Sequence, residues 1–485
     1  MKRRSFIIKV GCFTAAASQL SCRAIRGREP SPKERPNIIL IVADDLGYRE
    51  LGCYGQEKIE TPHIDSLSAE GIRFTQHYAG APVCAPARCT IMTGKHGGHA
   101  PIRDNLEIRK SIWNDRFGGQ YPLPLGVATV AELLQKAGYA TGAFGKWGLG
   151  GVGTTGDPVR RGFDHFFGYN CQRHAHNYYP RYLVSDDRRV FLEGNTRSIT
   201  GRTYAPQLIA DAALSFIRNN KEGPFFLYYA TIIPHLPLQV PDDFLARYKG
   251  RWPETPYNGR SYLPNPTPRA TYAAMITFMD FQVGRILSLL DELRIAEQTL
   301  VLFTSDNGTT YLKGQVDYEF FKSVGNLRGL KGSVYEGGIR VPLIARWKGK
   351  VQPGRTSTLL CAHYDLLATI LDAAGLPIPP DTDGISYLPT LLGSKTQTEH
   401  DYLFWDFAGY GGQLAVRMGK WKGVKRNLIK NPKSPLELYN LEEDESETRN
   451  VAKEYPEVTK KIEKIMLEAR SKPAEPKFRF GIYPS

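Results

Sequence analysis

Asn37-Ile38-Ile39-Leu40-Ile41-Val42-Ala43 is an unbroken apolar run, rich in β-branched residues, that stops at Asp44-Asp45. A strand with one wet face alternates polar and apolar residues. A continuous run belongs to a strand buried on both faces, which requires helices on either side of its sheet. The pattern recurs at Phe225-Phe226-Leu227-Tyr228-Tyr229, which leads to Pro234-His235, and at Thr299-Leu300-Val301-Leu302-Phe303, which leads to Ser305-Asp306-Asn307-Gly308. Between these lie helix-like stretches at 129–138 and 270–293, the second with apolar residues at helical spacing. Strands alternating with helices predict an α/β fold with a large, mostly parallel sheet. Open α/β sheets build their sites just past the strand ends. That rule singles out Asp44, Asp45, His235, Asp306 and Asn307.

The character changes after Gly375-Leu376-Pro377-Ile378-Pro379-Pro380. Short strand-like pieces at 401–407 and 413–424, with a charged amphipathic helix near 456–470, predict a smaller α+β subdomain with a short antiparallel sheet. The expected division is a catalytic domain at 36–377 and a C-terminal subdomain at 378–485. The Pro-rich stretch 250–269 is expected to be a surface loop. At the other end, Lys2-Arg3-Arg4 precedes a short apolar run, Val10 to Leu20. Residues 1–22 therefore read as an export signal of the twin-arginine type, and 23–35 as a linker. The implied location is periplasmic, cell-surface or secreted, with the export machinery as a partner. Cys22 at the end of the signal is either a lipidated membrane anchor or part of the discarded leader. No stretch reads as the ~20 apolar residues a membrane-spanning helix needs.

The chain of 485 residues carries a net charge of +14, which favours anionic partners. It has no zinc-finger spacing, RNA-recognition signature or basic helical stripe, so nucleic acid is not the expected partner. Seven cysteines, at 12, 22, 53, 84, 89, 171 and 361, are odd in number and lack any Cys-x-x-Cys pair. They form no disulfide framework, and Cys84 calls for its own explanation.

Cys84 opens Cys84-Ala85-Pro86-Ala87-Arg88. Pro86 suits a first helical turn, so a helix starting here puts Cys84 and Arg88 on one face, with free amides aimed at an anion. Asp44, Asp45, Asp306 and Asn307 offer three carboxylates and an amide oxygen, a donor set for a hard cation, Ca2+ before Mg2+. Read singly, Asp44-Asp45 also fits a helix cap and Asp306-Asn307-Gly308 a tight turn. His235, between Pro234 and Pro237 after a buried strand, is either a general acid or a core histidine.

These pieces, together with Gly145-Lys146-Trp147, Lys331 and Glu336-Gly337-Gly338-Ile339-Arg340, resemble the formylglycine-dependent (type I) sulfatases of the alkaline phosphatase superfamily, in the family's order from about 37 to 341. Asp383-Gly384-Ile385-Ser386 with Leu388-Pro389 extends the likeness. The resemblance implies an alkaline-phosphatase-like sandwich and hydrolysis of sulfate esters. It implies that a maturase, formylglycine-generating or radical, oxidises Cys84 to an aldehyde (3-oxoalanine) that hydrates to a geminal diol. One hydroxyl attacks sulfur and displaces the alcohol; loss of the second hydroxyl's proton then expels sulfate. Residue 84 joins the four oxygen donors as a metal ligand, and Arg88 holds the diol and metal ligands in place. Lys146 and Lys331 contact the sulfate, and His235 protonates the leaving alcohol. A sulfated saccharide is the expected substrate, with His174, His176, Arg103 and Arg181 as candidate sugar contacts. One position departs from the family: Gly148 stands where a histidine is common, and a histidine from 172–177 is expected to fill that space or bind substrate. Two other readings stay open, a phosphodiesterase or phosphonate hydrolase of the same superfamily and a non-catalytic glycan-binding relative.

Overall fold

A computed structural model describes residues 35–108 and 110–484. The expected export signal 1–22, including Cys22, and all but the last residue of the linker 23–35 lie outside the described residues. The apolar runs become the middle of a ten-stranded mixed sheet. We label the strands that carry the site β1 (Asn37–Asp44), β2 (Ala140–Lys146), β3 (Phe225–Pro234) and β4 (Thr299–Ser305). Their order across the sheet is β4-β1-β3-β2, and every neighbouring pair is parallel. All four carboxyl ends therefore meet one edge. Every residue of β1, β3 and β4 is buried, as an unbroken apolar run requires.

Two cores flank the sheet. One face of β1 sends Ile38, Leu40 and Val42 towards a layer that includes α1 (Cys84–Thr93). The other sends Ile39 and Ile41 towards α2 (Pro268–Glu292). By length and a mean hydropathy of 1.3, α2 is apolar enough to cross a bilayer, contrary to the reading that no stretch is. It is instead a core helix, with 83% of its most apolar window buried in the fold. A helix hydrophobic on most sides needs cover on most sides, and the cores supply it.

The C-terminal region forms a four-stranded antiparallel sheet of β5 (Leu403–Phe407), β6 (Gln413–Met418), β7 (Trp421–Lys425) and β8 (Glu437–Asn440). It has no core of its own. Phe404, Leu414 and Val416 join the apolar layer under β1, and Trp405 packs with Tyr78 and Val83 and donates its indole N–H to Ala79 O at 2.8 Å. A buried ion cluster fastens the same strand. Asp406 Oδ2 accepts from Arg103 Nη1 at 2.8 Å and from Arg470 Nε at 2.9 Å, with all three side chains sealed from solvent. Removing one partner of such a cluster leaves uncompensated charge in a low-dielectric interior. Asp406→Ala is expected to destabilise the protein by about 3–5 kcal/mol, seen as a lower thermal midpoint; an unchanged midpoint would contradict this account.

Candidate active site

Strand register assembles the acidic end of the site. Ala43 on β1 is level with Ser305 on β4, so Asp44-Asp45 and Asp306-Asn307 leave the sheet side by side. Asp306 N donates to Ala43 O at 2.9 Å, and Asp45 N donates to Asp306 Oδ1 at 3.2 Å. Asp45 adopts a positive φ of 64°, a costly turn for a residue other than glycine, and these contacts hold it there. On the other side, Lys146 closes β2 and His235 follows β3. Cys84 is the first residue of α1, whose N-cap Val83 offers no side-chain acceptor; the Ala85 amide donates instead to Asn105 Oδ1 at 2.8 Å, and Asn105 also lines the cleft.

The charges pair one to one. Arg88 donates Nε and Nη2 to Asp306 Oδ2 at 3.0 and 2.8 Å, and its third nitrogen to Lys146 O. Lys146 Nζ is 2.6 Å from Asp44 Oδ2, and Lys331 Nζ is 2.7 Å from Asp45 Oδ1. Cys84 Sγ lies in their midst, 3.5 Å from Asp44 Oδ1, 3.4 Å from Lys146 Nζ and 3.5 Å from Lys331 Nζ. Asp44, Asp306, Asn307 and Arg88 are fully buried.

Burial alone would lower the Lys146 and Lys331 ammonium pKa values. The adjacent Asp44 and Asp45, respectively, outweigh it, so both lysines stay charged. Burial pushes the Cys84 thiol up, Asp306 adds to this, and the two lysines only partly oppose it. Unmodified, Cys84 would be a protonated thiol at neutral pH and a poor nucleophile. His235 is pushed well below the usual histidine range by burial and then by Lys331 and Lys146. Its Nδ1 donates to Leu236 O at 2.7 Å, so the neutral ring presents a bare Nε2 to the site, 3.6 Å from Asp45 Oδ2.

The donor set fits a hard cation. Oxygens of Asp44 and Asp45, Cys84 Sγ and a nitrogen of His235 lie within 4.8 Å of one another. Asn307 gives its amide N–H to Asp45 Oδ1 at 2.8 Å, while its own Oδ1 is buried without any partner. An orphaned oxygen beside three carboxylates is an acceptor-rich cradle of the kind a hard cation suits.

The structure separates the sugar-contact candidates. His176 lies in the cleft with Cys84, stacked on His235 at 4.8 Å. His174 does not; it is sealed against Phe117 and Tyr182 on a neighbouring cavity. Arg103 is likewise excluded, because the Asp406 cluster consumes its guanidinium. Arg181 is exposed and does not line the cleft. At Gly148, a Cβ atom would come within 2.6 Å of Gln172 Nε2, so Gln172 and not a histidine fills that space. Sequence reading missed Gln172, the bidentate Arg173–Glu107 pair (2.6–3.0 Å) and Tyr262, all on the cleft wall. Tyr262 comes from the Pro-rich loop, and its ring lies 5.3 Å from that of His176. No local signal marks any of these, since they meet the site only through long loops.

Fold and site define a hydrolase of the alkaline phosphatase superfamily, with a charged pocket built for an oxyanion at a parallel-sheet edge. The sulfatase family model matches residues 36–376, and a second model, for the C-terminal region of N-sulphoglucosamine sulphohydrolase, matches 330–472. This chain belongs to the sulfatase family and is a sulfuric ester hydrolase. It is 29% identical to an N-acetylgalactosamine-6-O-sulfatase of Bacteroides thetaiotaomicron, over 90% of this chain and 94% of that one. Human arylsulfatase A is 32% identical over 89% of this chain and 87% of its own length. Among solved structures, Ps i-CgsB in complex with k-i-k-neocarrahexaose superposes with a TM-score of 0.75 at 28% identity, over 91% of this chain and 94% of that one. The second matched region spans the predicted 377/378 division, in keeping with the shared core.

Gly148 has φ +85°, so a side chain there meets both backbone strain and Gln172. Gly148→His is expected to lower kcat/KM at least tenfold by displacing Gln172, a loss of ~1.4 kcal/mol or more. Kinetics on an aryl sulfate check this, and an unaltered rate would show that the packing there is irrelevant.

Proposed function

We propose that this enzyme removes sulfate from sulfated carbohydrates, using a formylglycine made from Cys84 and a bound calcium ion. The observation that carries this reading is the position of Cys84 Sγ, within 3.5 Å of Lys146, Lys331 and Asp44 at once. A thiol held protonated gains nothing from that setting, whereas an oxygen nucleophile in its place is next to both anion-binding lysines and the cation cradle. The hydrated aldehyde supplies one hydroxyl to form the bond to sulfur and a second whose deprotonation expels sulfate. Calcium, held by Asp44, Asp45, Asp306 and Asn307, supplies Lewis acidity that lowers the pKa of the attacking oxygen.

The remaining work falls to the chain's own groups. With a cation held by Asp44 and Asp45, Lys146 and Lys331 would be free to hold the sulfate oxygens as charge builds on them. Arg88 keeps Asp306 oriented and remains paired throughout. His235 Nε2, bare in the neutral ring, takes a proton from solvent as the anionic substrate binds and then delivers it to the departing sugar oxygen; carboxylates nearby and the substrate's negative charge raise its affinity for that proton. The saccharide assignment draws on relatives named for N-acetylgalactosamine 6-sulfate and on one solved with a carrageenan oligosaccharide. Because Cys84 is only 1% exposed, the maturase must reach it before the chain closes around it. The twin-arginine sequence then takes the enzyme out of the cytoplasm, to where it meets such polymers outside the cell.

Mass analysis of the peptide containing residue 84, from protein made in its own host, is expected to show an aldehyde in place of the thiol. A free thiol there would favour the non-catalytic glycan-binding alternative. Cys84→Ala and Lys331→Ala are expected to lower kcat by at least about 10²–10³. Chelation should abolish turnover, and added Ca2+ should restore it better than Mg2+. A panel of sulfated mono- and oligosaccharides, with phosphate diesters and phosphonates as controls, tests the substrate class. Turnover of the controls alone would replace the sulfatase reading with a phosphodiesterase one.

A further inference from the structure

The catalytic cleft is not a closed pocket. Tyr311, Lys331 and Tyr410 line it and also line a second, larger cavity of about 760 Å³ beside it. Tyr311 follows the Asp306-Asn307 turn, whereas Tyr410 reaches over from the C-terminal sheet, in the loop between β5 and β6. The two residues are 46% and 57% exposed, with ring centroids 6.2 Å apart, ring planes at 79° and hydroxyls 3.4 Å apart, so the rings meet edge to face and form a corner. Large aromatic faces left in water next to a binding cleft are a cost to the free protein, and such patches mark ligand surfaces.

Tyr410 is also held in place at conformational expense. Its φ is +50°, in a region that disfavours a bulky side chain, within the run Gly409-Tyr410-Gly411-Gly412. Substituting glycine would remove the strain, yet the chain spends its flanking glycines on presenting a tyrosine. The ring lies over Gly332, where an added Cβ would come within 3.2 Å of it, and this sets it beside Lys331. Strained residues held by their surroundings gather at ligand clamps. Lys322, which also lines the larger cavity, has a positive φ of +51°.

We propose that Tyr311 and Tyr410 form an aromatic platform for the sugar unit next to the sulfated one, one ring under its C–H face and the other, at 79° to it, against its side, making the enzyme selective for sulfated oligosaccharides over sulfated monosaccharides. A pyranose has apolar C–H faces and a polar hydroxyl edge, which matches aromatic surface bordered by two tyrosine hydroxyls and the Lys331 ammonium. The cavity's continuity with the cleft at Lys331 places that unit within one glycosidic linkage of the reacting sulfate. This inference rests on the carbohydrate reading above.

The test compares kcat/KM for matched pairs, a sulfated monosaccharide and a tetrasaccharide carrying the same sulfate, with 4-nitrophenyl sulfate as a substrate that has no second sugar. Wild-type enzyme is expected to prefer the tetrasaccharide, mainly through KM. Tyr410→Ala and Tyr311→Ala are each expected to cut that preference about tenfold, equivalent to ~1.4 kcal/mol, while Tyr410→Phe keeps most of it. Thermal midpoints of the variants show whether any loss comes from unfolding, and the ratio of two substrates on one preparation cancels a loss of folded protein. Equal kcat/KM on both members of every pair, or an alanine ratio like wild type, overturns the platform and leaves the carbohydrate reading intact. Turnover of 4-nitrophenyl sulfate without any saccharide overturns both.

Discussion

Three carboxylates and three cations sealed at one sheet edge are the constraint around which the rest of this molecule is arranged. Asp44 pairs with Lys146, Asp45 with Lys331 and Asp306 with Arg88, so the assembled site is close to neutral. Isolated, any one of these charges would cost several kcal/mol to bury. Together they tolerate burial, and they leave a site that can exchange partners at little electrostatic cost. A divalent cation held by the carboxylates would leave two ammoniums for an anionic ester, and the site's charge would stay near balance. Arg88 is the exception that makes the exchange orderly. Its fork is spent on Asp306 and on the Lys146 carbonyl, so it stays behind as scaffold.

Such a cluster demands rigid support, which explains the apolar runs. The parallel register of β4, β1, β3 and β2 sets four strand ends at one edge and brings the charges at positions 44, 146 and 306 and the neutral His235 together without any long loop. Close approach matters as much as direction. At Gly145 a Cβ would lie 1.9 Å from Ala230 O, and at Gly308 another would lie 2.2 Å from Gly337 O, so only glycine lets these backbones pass beside the charged residues.

What could be read from the sequence follows the same division. Continuous apolar strands ending in acids declare both the sheet and its acidic edge, and the Cys84–Arg88 spacing declares one helical face, because each signal is local. The lysines were visible only through family likeness, since nothing in an isolated Lys331 distinguishes it from a solvated surface charge. The cleft walls were not legible. His174 and His176 are two residues apart in a loop, yet one stacks on His235 and the other is sealed behind Phe117. Arg103 looked like a basic residue available to an anion until the fold set Asp406 beside it, from 303 positions along the chain. Gln172 carries no recognisable pattern; its amide nitrogen sits against Gly148, buried and without a partner, only because two loops meet there.

The C-terminal sheet shows why such distant residues matter. Strand β5 carries Asp406, clamped between Arg103 and Arg470, and Tyr410 follows only four residues later. Between them, Ala408 N donates to Arg103 O at 3.0 Å, so the same segment is fastened by main chain and side chain to the region that leads from α1. A tyrosine at φ +50° on a glycine-rich loop would relax unless the loop's root were fixed. Stability and substrate contact are thus coupled through one strand. The buried ions spend their interaction energy on holding the edge of a sheet still, and that stillness lets an exposed ring stay beside Lys331.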